Sequence, residues 1–350
     1  MEVVLITGSA GLIGSESVRF FANKFDLVLG IDNNFREFYF GKEGSTEMVK
    51  NNLEREVSNY EHHSIDIRQT DLLRPVFEKY RSDIKFIVHT AAQPSHDWAA
   101  ANPIVDFSVN ANGTLNLLEM ARQYCSEAVF IYTSSSKVYG DNPNRLALEE
   151  KATRWEVKPG TLFYEGISEK MSIDQAKHSF LGASKLAGDI LVQEYAKYWG
   201  LKTGIFRGGC LTGPHHAGVE LHGFLSYLAK CCFSEKQYTI FGYKGKQVRD
   251  NIHSYDLVNA FWHFYKSPKS GEVYNIGGGR KSNCSILEAI EICEAITEKK
   301  MNYRSIENNR NGDHIWYITD YSKFSADYPA WEPTYTTQTI LLEIFKSIKG

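Results

Sequence analysis

The N-terminal run Val3-Val4-Leu5-Ile6-Thr7 passes directly into Gly8-Ser9-Ala10-Gly11-Leu12-Ile13-Gly14 and then into a helical pattern. No other feature limits the possible folds as strongly. β-Branched and apolar residues favour a buried strand, and the glycines sit where that strand must turn sharply into a helix. Gly8 permits the tight turn, Gly11 admits a ligand close to the backbone, and Gly14 lets helix and strand approach each other. The backbone around Ala10, Leu12 and Ile13, at the positive end of the helix dipole, would then face a pyrophosphate. Asp32 closes the second strand, where a carboxylate can accept hydrogen bonds from both hydroxyls of an adenosine ribose and repel a 2′-phosphate. Its neighbours Asn33 and Asn34 are not arginines, so the expected cofactor is NAD rather than NADP.

The alternation of strand and helix continues beyond this turn. Leu27–Ile31, Phe86–Thr90, Ala128–Thr133 and Lys202–Arg207 read as further buried strands, separated by stretches of helical length. Such a pattern predicts a parallel sheet with helices on both faces. The polar, charged stretch 36–60 reads as a loop plus a solvated helix, while helices are expected over Asp106–Gln123, Gly182–Trp199 and Ser285–Thr297. After Gly208 the spacing becomes irregular and aromatic. The expected fold class is therefore α/β, a Rossmann-type doubly wound parallel sheet with a smaller C-terminal α/β substrate lobe. Residues 1–207 would form the NAD-binding domain, with a return segment near 250–276, and 208–350 would mainly form the substrate-binding lobe.

Composition removes several classes. Lys and Arg number 39 against 42 Asp and Glu, a formal charge of −3, so no basic surface argues for a nucleic-acid partner. With 350 residues, 43% of them hydrophobic, the chain can bury a core without disulfides. Cys125, Cys210, Cys231, Cys232, Cys284 and Cys293 show neither a C-x-x-C pair nor metal-ligand spacing and read as small buried hydrophobes. The start lacks a basic signal region, and no apolar run approaches the ~18 residues of a membrane span. A cytoplasmic location without a membrane partner is the expectation.

Further motifs run along nearly the whole chain: Asp66-Ile67, His89-Thr90-Ala91-Ala92-Gln93, Asn110 within VNANGT, the run SSSKVYG over Ser134–Gly140, Lys185, and GKQVRDNIHSYD over Gly245–Asp256. Together with the glycine turn they resemble the extended short-chain dehydrogenase/reductase family. Within it the resemblance is strongest to NAD-dependent nucleotide-sugar epimerases of the CDP-tyvelose (CDP-paratose 2-) kind, through NGTLNLLE, KVYGD, HS-x-x-G-x-SK and GKQVRD. The resemblance implies that Asp66 and Ile67 contact adenine and that Ala91, Ala92, Gln93, Asn110 and Thr133 belong to the cofactor site. Ser135 would hydrogen-bond the sugar oxygen being oxidised. Lys185 would hold the nicotinamide ribose and lower the pKa of a nearby acid/base. Arg249 would grip the substrate diphosphate, with Arg310, Asp313 and His314 near the nucleotide. Gly208 and Gly209 would leave space for a hexose ring, and His222 would lie on the substrate side. A homodimer through Asn110–Gln123 and Gly182–Trp199 follows by the same analogy.

One position departs from the family pattern. The family's base is a tyrosine four residues before the lysine, and this chain has Leu181 there. A leucine moves no proton, so Tyr164, His178 and Ser135 are the candidate substitutes. His215, His216 and His222 are not completed by a cysteine or carboxylate cluster, so no metal is expected. In the family's 4,6-dehydratases an Asp-Glu pair precedes VYG, whereas this chain carries Ser136-Lys137, which disfavours dehydration. Epimerisation by transient oxidation to a keto sugar, with hydride return to the other face, is the expected activity. A UDP-sugar 4-epimerase, or a sensor that binds NAD and a sugar nucleotide without turnover, is the alternative.

Overall fold

Seven strands form one sheet: β1 (Val3–Thr7), β2 (Leu27–Ile31), β3 (Tyr60–His63), β4 (Ile84–His89), β5 (Val129–Ser135), β6 (Lys202–Gly208) and β7 (Glu272–Ile276). The computed structural model that shows them describes residues 1–220, 222–310 and 312–349. The strand order is β7-β6-β5-β4-β1-β2-β3. The pairs β1–β2, β1–β4, β2–β3 and β4–β5 are parallel, and Thr7 stands opposite both Ile31 and His89. The direction of winding reverses at β1, so the loops that leave β1 and β4 diverge and open a crevice at their C-terminal ends.

Two sequence expectations need correction here. The polar stretch 36–60 contains the short helices Phe35–Phe40 and Glu47–Glu56 and ends in an additional strand, β3. β3 is an edge strand whose four residues are only half-buried, so it lacks the apolar run that marks a central strand. The expected helix Asp106–Gln123 is interrupted: Pro103–Phe107 passes through a wide π-type turn at Ser108–Asn112 before Gly113–Tyr124 resumes the α-helix. That turn carries Asn110.

The chain divides into two compact units. The first comprises Met1–Ser135, Phe180–Arg207 and Val258–Tyr274, and the second comprises Ser136–Ser179, Gly208–Leu257 and everything from Asn275 onward. A boundary at 207 therefore misplaces 136–179, and the return segment is Val258–Tyr274. The reason lies in hydrogen bonds made late in the chain. Tyr139 Oη donates to Asn275 Oδ1 at 2.7 Å, His314 Nε2 donates to Gly140 O at 2.8 Å, and Ile167 N donates to Ile318 O at 2.6 Å.

In the first unit, one face of the sheet packs Leu5, Leu29, Ile87 and Phe130 against helical residues such as Leu73, Phe77, Leu117, Leu118 and Val192. An aromatic group, Phe21, Phe25, Phe86 and Tyr265, is set edge to face, tilted or stacked at 4.7–6.2 Å between ring centres. The second unit has its own core, built from the helices Phe224–Phe233, Ile286–Thr297 and Thr337–Lys349. Ser285 and Glu288 close a capping box at the start of Ile286–Thr297, which is why that helix begins one residue later than the expected Ser285. Cys231, Cys232, Cys284 and Cys293 lie in this core and Cys125 in the other, while Cys210 is half-buried.

A buried charge network pins the long helix Ser179–Trp199 to the sheet. Arg207 on β6 grips Asp189 with both Nε and Nη2 at 2.9 Å, and Ser134 on β5 donates to the same carboxylate at 2.6 Å. Removing one partner of such a pair strands the other charge inside the protein. Arg207→Ala should therefore lower unfolding stability by about 3–5 kcal/mol, read as a fall in the denaturant midpoint. An unchanged midpoint would show that water reaches Asp189.

Candidate active site

The glycine turn is built by contact as well as by conformation. Gly8 has φ +68° and donates to Ile31 O at 2.7 Å, and a Cβ on Gly14 would stand 1.9 Å from Gly8 O. Side chains at either position are therefore excluded. The helix Leu12–Phe21 starts at Gly11 with no side-chain cap and no acidic residue in its first turn. Its leading N–H groups are left for an anion. Asp32 Oδ2 accepts from Ala10 N at 3.1 Å and Oδ1 from Asn34 N at 2.8 Å, so the carboxylate is fixed beside the turn with lone pairs left for hydroxyl donors. Burial raises the Asp32 pKa against these two hydrogen bonds. Arg36, which the Asn33-Asn34 argument passed over, lies close enough to influence Asp32, but its Nε donates to Gly44 O at 3.3 Å and its guanidinium covers the Phe40 ring. The cradle, the uncapped N–H groups and the anchored carboxylate fit a dinucleotide.

Asp66 and Ile67 are occupied differently from each other. Burial alone would raise the Asp66 pKa, but the Arg68 fork holds it below the usual carboxylate range, with Nη2 at 2.6 Å. Ile67 is buried in the core, and its carbonyl accepts from Asn116 Nδ2 at 3.0 Å.

The loop after β4 rests on the glycine turn, since a Cβ at Gly8 would lie 2.7 Å from Ala91 N. Asn110 secures this loop. Its Oδ1 accepts from Gln93 N at 2.9 Å, and its Nδ2 lies within reach of Gln93 O, Asp106 Oδ1 and Ser184 Oγ at 3.0–3.1 Å. With both ends of its amide spent inside the protein, Asn110 positions Ala91, Ala92 and Gln93. Gln93 is buried too and donates to Asp106 Oδ1 at 2.6 Å. Asp106 was missed by sequence reading. Its one signal was its place four residues before Asn110, on the same helical face.

Lys185 is buried, donates from Nζ to Thr133 O at 3.0 Å, and lies 5.0 Å from the centre of the Tyr132 ring. Burial pushes its pKa down to about 8, against the opposing charges of Asp106 and Asp189. Thr133 Oγ1 donates to His89 O, tying β5 to β4. Ser135 is the last residue of β5, two residues beyond the carbonyl that receives Lys185. Leu181 stands one turn before Lys185 on the same helix and is buried, 5% exposed.

The proposed substitutes for the missing tyrosine divide. His178 Nε2 donates to Ile173 O at 2.8 Å, while its Nδ1 is buried without a partner against Gly140. Neither nitrogen is open to substrate, so His178 is a structural clamp and the expectation of a base there is withdrawn. Tyr164 is partly exposed, with the Arg280 guanidinium 4.9 Å above its ring and bonded to its carbonyl.

In the second unit, Arg249 pairs with Asp313, and Lys137 Nζ donates to Gly312 O at 2.9 Å. Burial brings the Lys137 pKa to about 8, with Asp313 opposing and Arg249 and Arg310 reinforcing the fall. Three cations thus collect about one carboxylate, a setting for a doubly charged anion. Lys137 belongs to this group, which the sequence reading did not recognise. Gly208 and Gly209 do not leave open space. A Cβ on Gly208 would meet Leu211 at 2.8 Å, and one on Gly209 would meet Asp250 Oδ1 at 2.6 Å, so both serve close packing. His222 Nδ1 faces His216 Nε2 at 3.3 Å, and among the described residues no three His, Cys, Asp or Glu side chains converge as metal ligands. Among them, too, no helix is long and apolar enough to cross a membrane.

The electrostatics of Lys185 are testable. Asp106→Asn removes a charge that raises the lysine pKa, so the value should fall below that of the unmodified protein in a 13Cε-lysine NMR titration. No movement would mean that Asp106 does not contribute and that burial is opposed by Asp189 alone.

The model of the family described as "NAD dependent epimerase/dehydratase family" matches residues 4–277. The chain is 30% identical over 340 residues to CDP-paratose 2-epimerase of Salmonella typhi, with 94% of each chain covered. It is also 30% identical over 350 residues to dTDP-glucose 4,6-dehydratase of Salmonella typhimurium, covering 96% of this chain and 90% of that one. The crystal structure of UDP-glucuronic acid 4-epimerase from Bacillus cereus, in complex with UDP-glucuronic acid and NAD, matches with a TM-score of 0.80 at 25% identity over 99% of both chains. Sequence motifs, sheet order and relatives agree: this chain belongs to the NAD-dependent epimerase/dehydratase family.

Proposed function

We propose that this protein is an NAD-dependent epimerase of a nucleotide-activated sugar, of the CDP-paratose 2-epimerase kind. The observation that carries the reading is Lys185, a buried lysine bonded to the Thr133 carbonyl two residues before Ser135 ends β5, with its pKa drawn down to about 8. A protein that only bound ligands would have no need to bury an amine at that cost. Ser136-Lys137 in place of an acidic pair argues against the dehydratase chemistry of the other relatives.

Bound NAD would supply the acceptor and donor of a hydride at one sugar carbon. The chain's own residues handle the proton. Ser135 Oγ holds the sugar hydroxyl, and the proton that leaves that oxygen passes through Ser135 to the neutral Lys185 amine. The bond to Thr133 O uses one N–H of Lys185, so the neutral amine keeps its lone pair for this purpose. The proton returns by the same path once the keto sugar has turned over. Arg249, Arg310 and Lys137 hold the diphosphate by charge and hydrogen bonds. Gly8, Ala10, Gly11, Leu12, Ile13, Gly14, Asp32 and Asn33, with Ala91 and Ala92, form the cofactor side of the reading.

A second reading, a protein that binds NAD and a sugar nucleotide without turnover, draws support from Leu181. The 25% identity to a UDP-glucuronic acid 4-epimerase keeps UDP-sugars among the substrates to try. The reading also places the protein in the cytoplasm as a homodimer. Exposed Phe107, Ile190, Tyr198 and Trp199 on or beside the two long helices support the dimer, which sedimentation would test.

Small molecules released on denaturation should include near-stoichiometric NAD by mass spectrometry, and epimer exchange should be visible by NMR with a CDP-sugar before UDP- or GDP-sugars. If no sugar nucleotide turns over, the binding-only reading stands. Because the neutral amine is the base, turnover should rise with pH through about 8 and level off above it. Leu181→Tyr should move that midpoint to lower pH, since the lysine cation stabilises a phenolate. Lys185→Met should abolish exchange, while Tyr164→Phe should leave it intact. Retained exchange in Lys185→Met would sink the mechanism.

A further inference from the structure

Each cation that the reading assigns to the substrate diphosphate is already engaged by the protein itself. Arg249 stands on the strand Val248–His253, where its Nη1 donates to Val248 O at 2.7 Å and its Nη2 donates to Asp313. Lys137, in the turn Ser136–Tyr139, donates from Nζ to Gly312 O at 2.9 Å. Arg310 lies with its guanidinium carbon 5.8 Å from the centre of the Phe241 ring. An arginine can present two parallel N–H groups in two ways, Nη1 with Nη2 or Nε with Nη2. Both use the nitrogen that Asp313 holds.

The carboxylate in this position behaves as an anion. Burial would raise the Asp313 pKa, but the charges of Arg249, Lys137 and Arg310 hold it below the usual carboxylate range. Without it, three cations would face one another with no counter-charge in a partly desolvated place. Asp313 Oδ1 also accepts from His314 N at 3.2 Å.

The backbone on either side is fixed. Asn144 Nδ2 donates to Asp313 O at 3.0 Å, Asn144 Oδ1 accepts from Ile315 N at 2.7 Å, and His314 Nε2 donates to Gly140 O at 2.8 Å. Gly312, at φ +72°, holds a conformation that a side chain would strain, and its carbonyl is the one that meets Lys137. With the backbone held, the part that can leave Arg249 is the Asp313 side chain, by turning from one rotamer to another.

We infer that Asp313 is an internal counter-ion, which occupies the anion site of the second unit before substrate arrives and yields Arg249 Nη2 to a phosphate oxygen of a nucleoside diphosphate sugar. The inference rests on the reading that this chain binds a nucleotide-activated sugar, and it adds that affinity is set by exchanging one anion for another. A ligand with a single negative charge replaces like with like and gains little. A diphosphate brings two, so the carboxylate also selects for charge.

The test is calorimetric binding of CDP, UDP and GDP to the full-length protein and to Asp313→Asn, which keeps the shape and removes the charge, with a crystal structure of the complex with the tightest-binding nucleotide. Asp313→Asn should bind that nucleotide about tenfold more tightly with unchanged far-UV circular dichroism. Its affinity should also fall more steeply with added salt than that of the unmodified protein. In the complex of the unmodified protein, Arg249 Nη2 should meet a phosphate oxygen with the Asp313 carboxylate turned away. Equal or weaker binding by Asp313→Asn means that the carboxylate stays and orients Arg249, which overturns the exchange, as does a complex in which Arg249 keeps Asp313. Asp313→Ser repeats the comparison if Asp313→Asn folds poorly. An unmodified protein that takes up none of the three nucleotides overturns the nucleotide-sugar reading and the counter-ion with it.

Discussion

The docking of the helix Ser179–Trp199 on the C-terminal half of β5 is the contact on which the first unit's chemistry depends. Gly188 allows it, because a Cβ there would stand 2.5 Å from Tyr132 Oη. At that close approach Tyr132 Oη donates to Lys185 O, Ser134 donates to Asp189, and Lys185 Nζ reaches Thr133 O. Asn110 adds Ser184 to the same seam. Tyr132, Ser134, Ser184, Lys185 and Asp189 each find a partner in this seam, which is what makes the burial of a lysine tolerable.

The same burial decides what the lysine can do. Desolvation favours its neutral form, while Asp106 and Asp189 favour the cation, and the balance lies near neutral pH. A group so poised accepts and returns a proton with little driving force either way, as a reversible oxidation requires. Nearby His89 shows the other outcome. Burial and the lysine charge hold its pKa down to about 3, and Thr7 and Thr114 engage both ring nitrogens, so it serves only as a strut.

Much of this was legible in the chain. The β1 run, the glycine turn and Asp32 follow from local rules about strands, positive φ and charge, and each lies where those rules put it. The central strands were readable because burial on both faces demands continuous apolar runs. β3 was not, because an edge strand satisfies half its backbone and needs no such run. Gly208 and Gly209 were misread for a related reason. A missing side chain signals that space is needed, but not whether a ligand or a neighbour such as Leu211 or Asp250 takes it.

The sequence by itself determined the parallel sheet, the dinucleotide turn and the presence of a lysine without its tyrosine, because these depend on residues close together along the chain. Only the tertiary structure decided the rest. It grouped 136–179 with the second unit, spent Nε2 of His178 on Ile173 and buried its Nδ1 against Gly140, placed Asp106 against Asn110 and Gln93, gathered Lys137 with Arg249 and Asp313, and brought Trp98 to Tyr39. Those pairings join residues from four to more than a hundred positions apart. What a buried polar group does is set by the partner that reaches it, and no spacing in the chain states which partner that is.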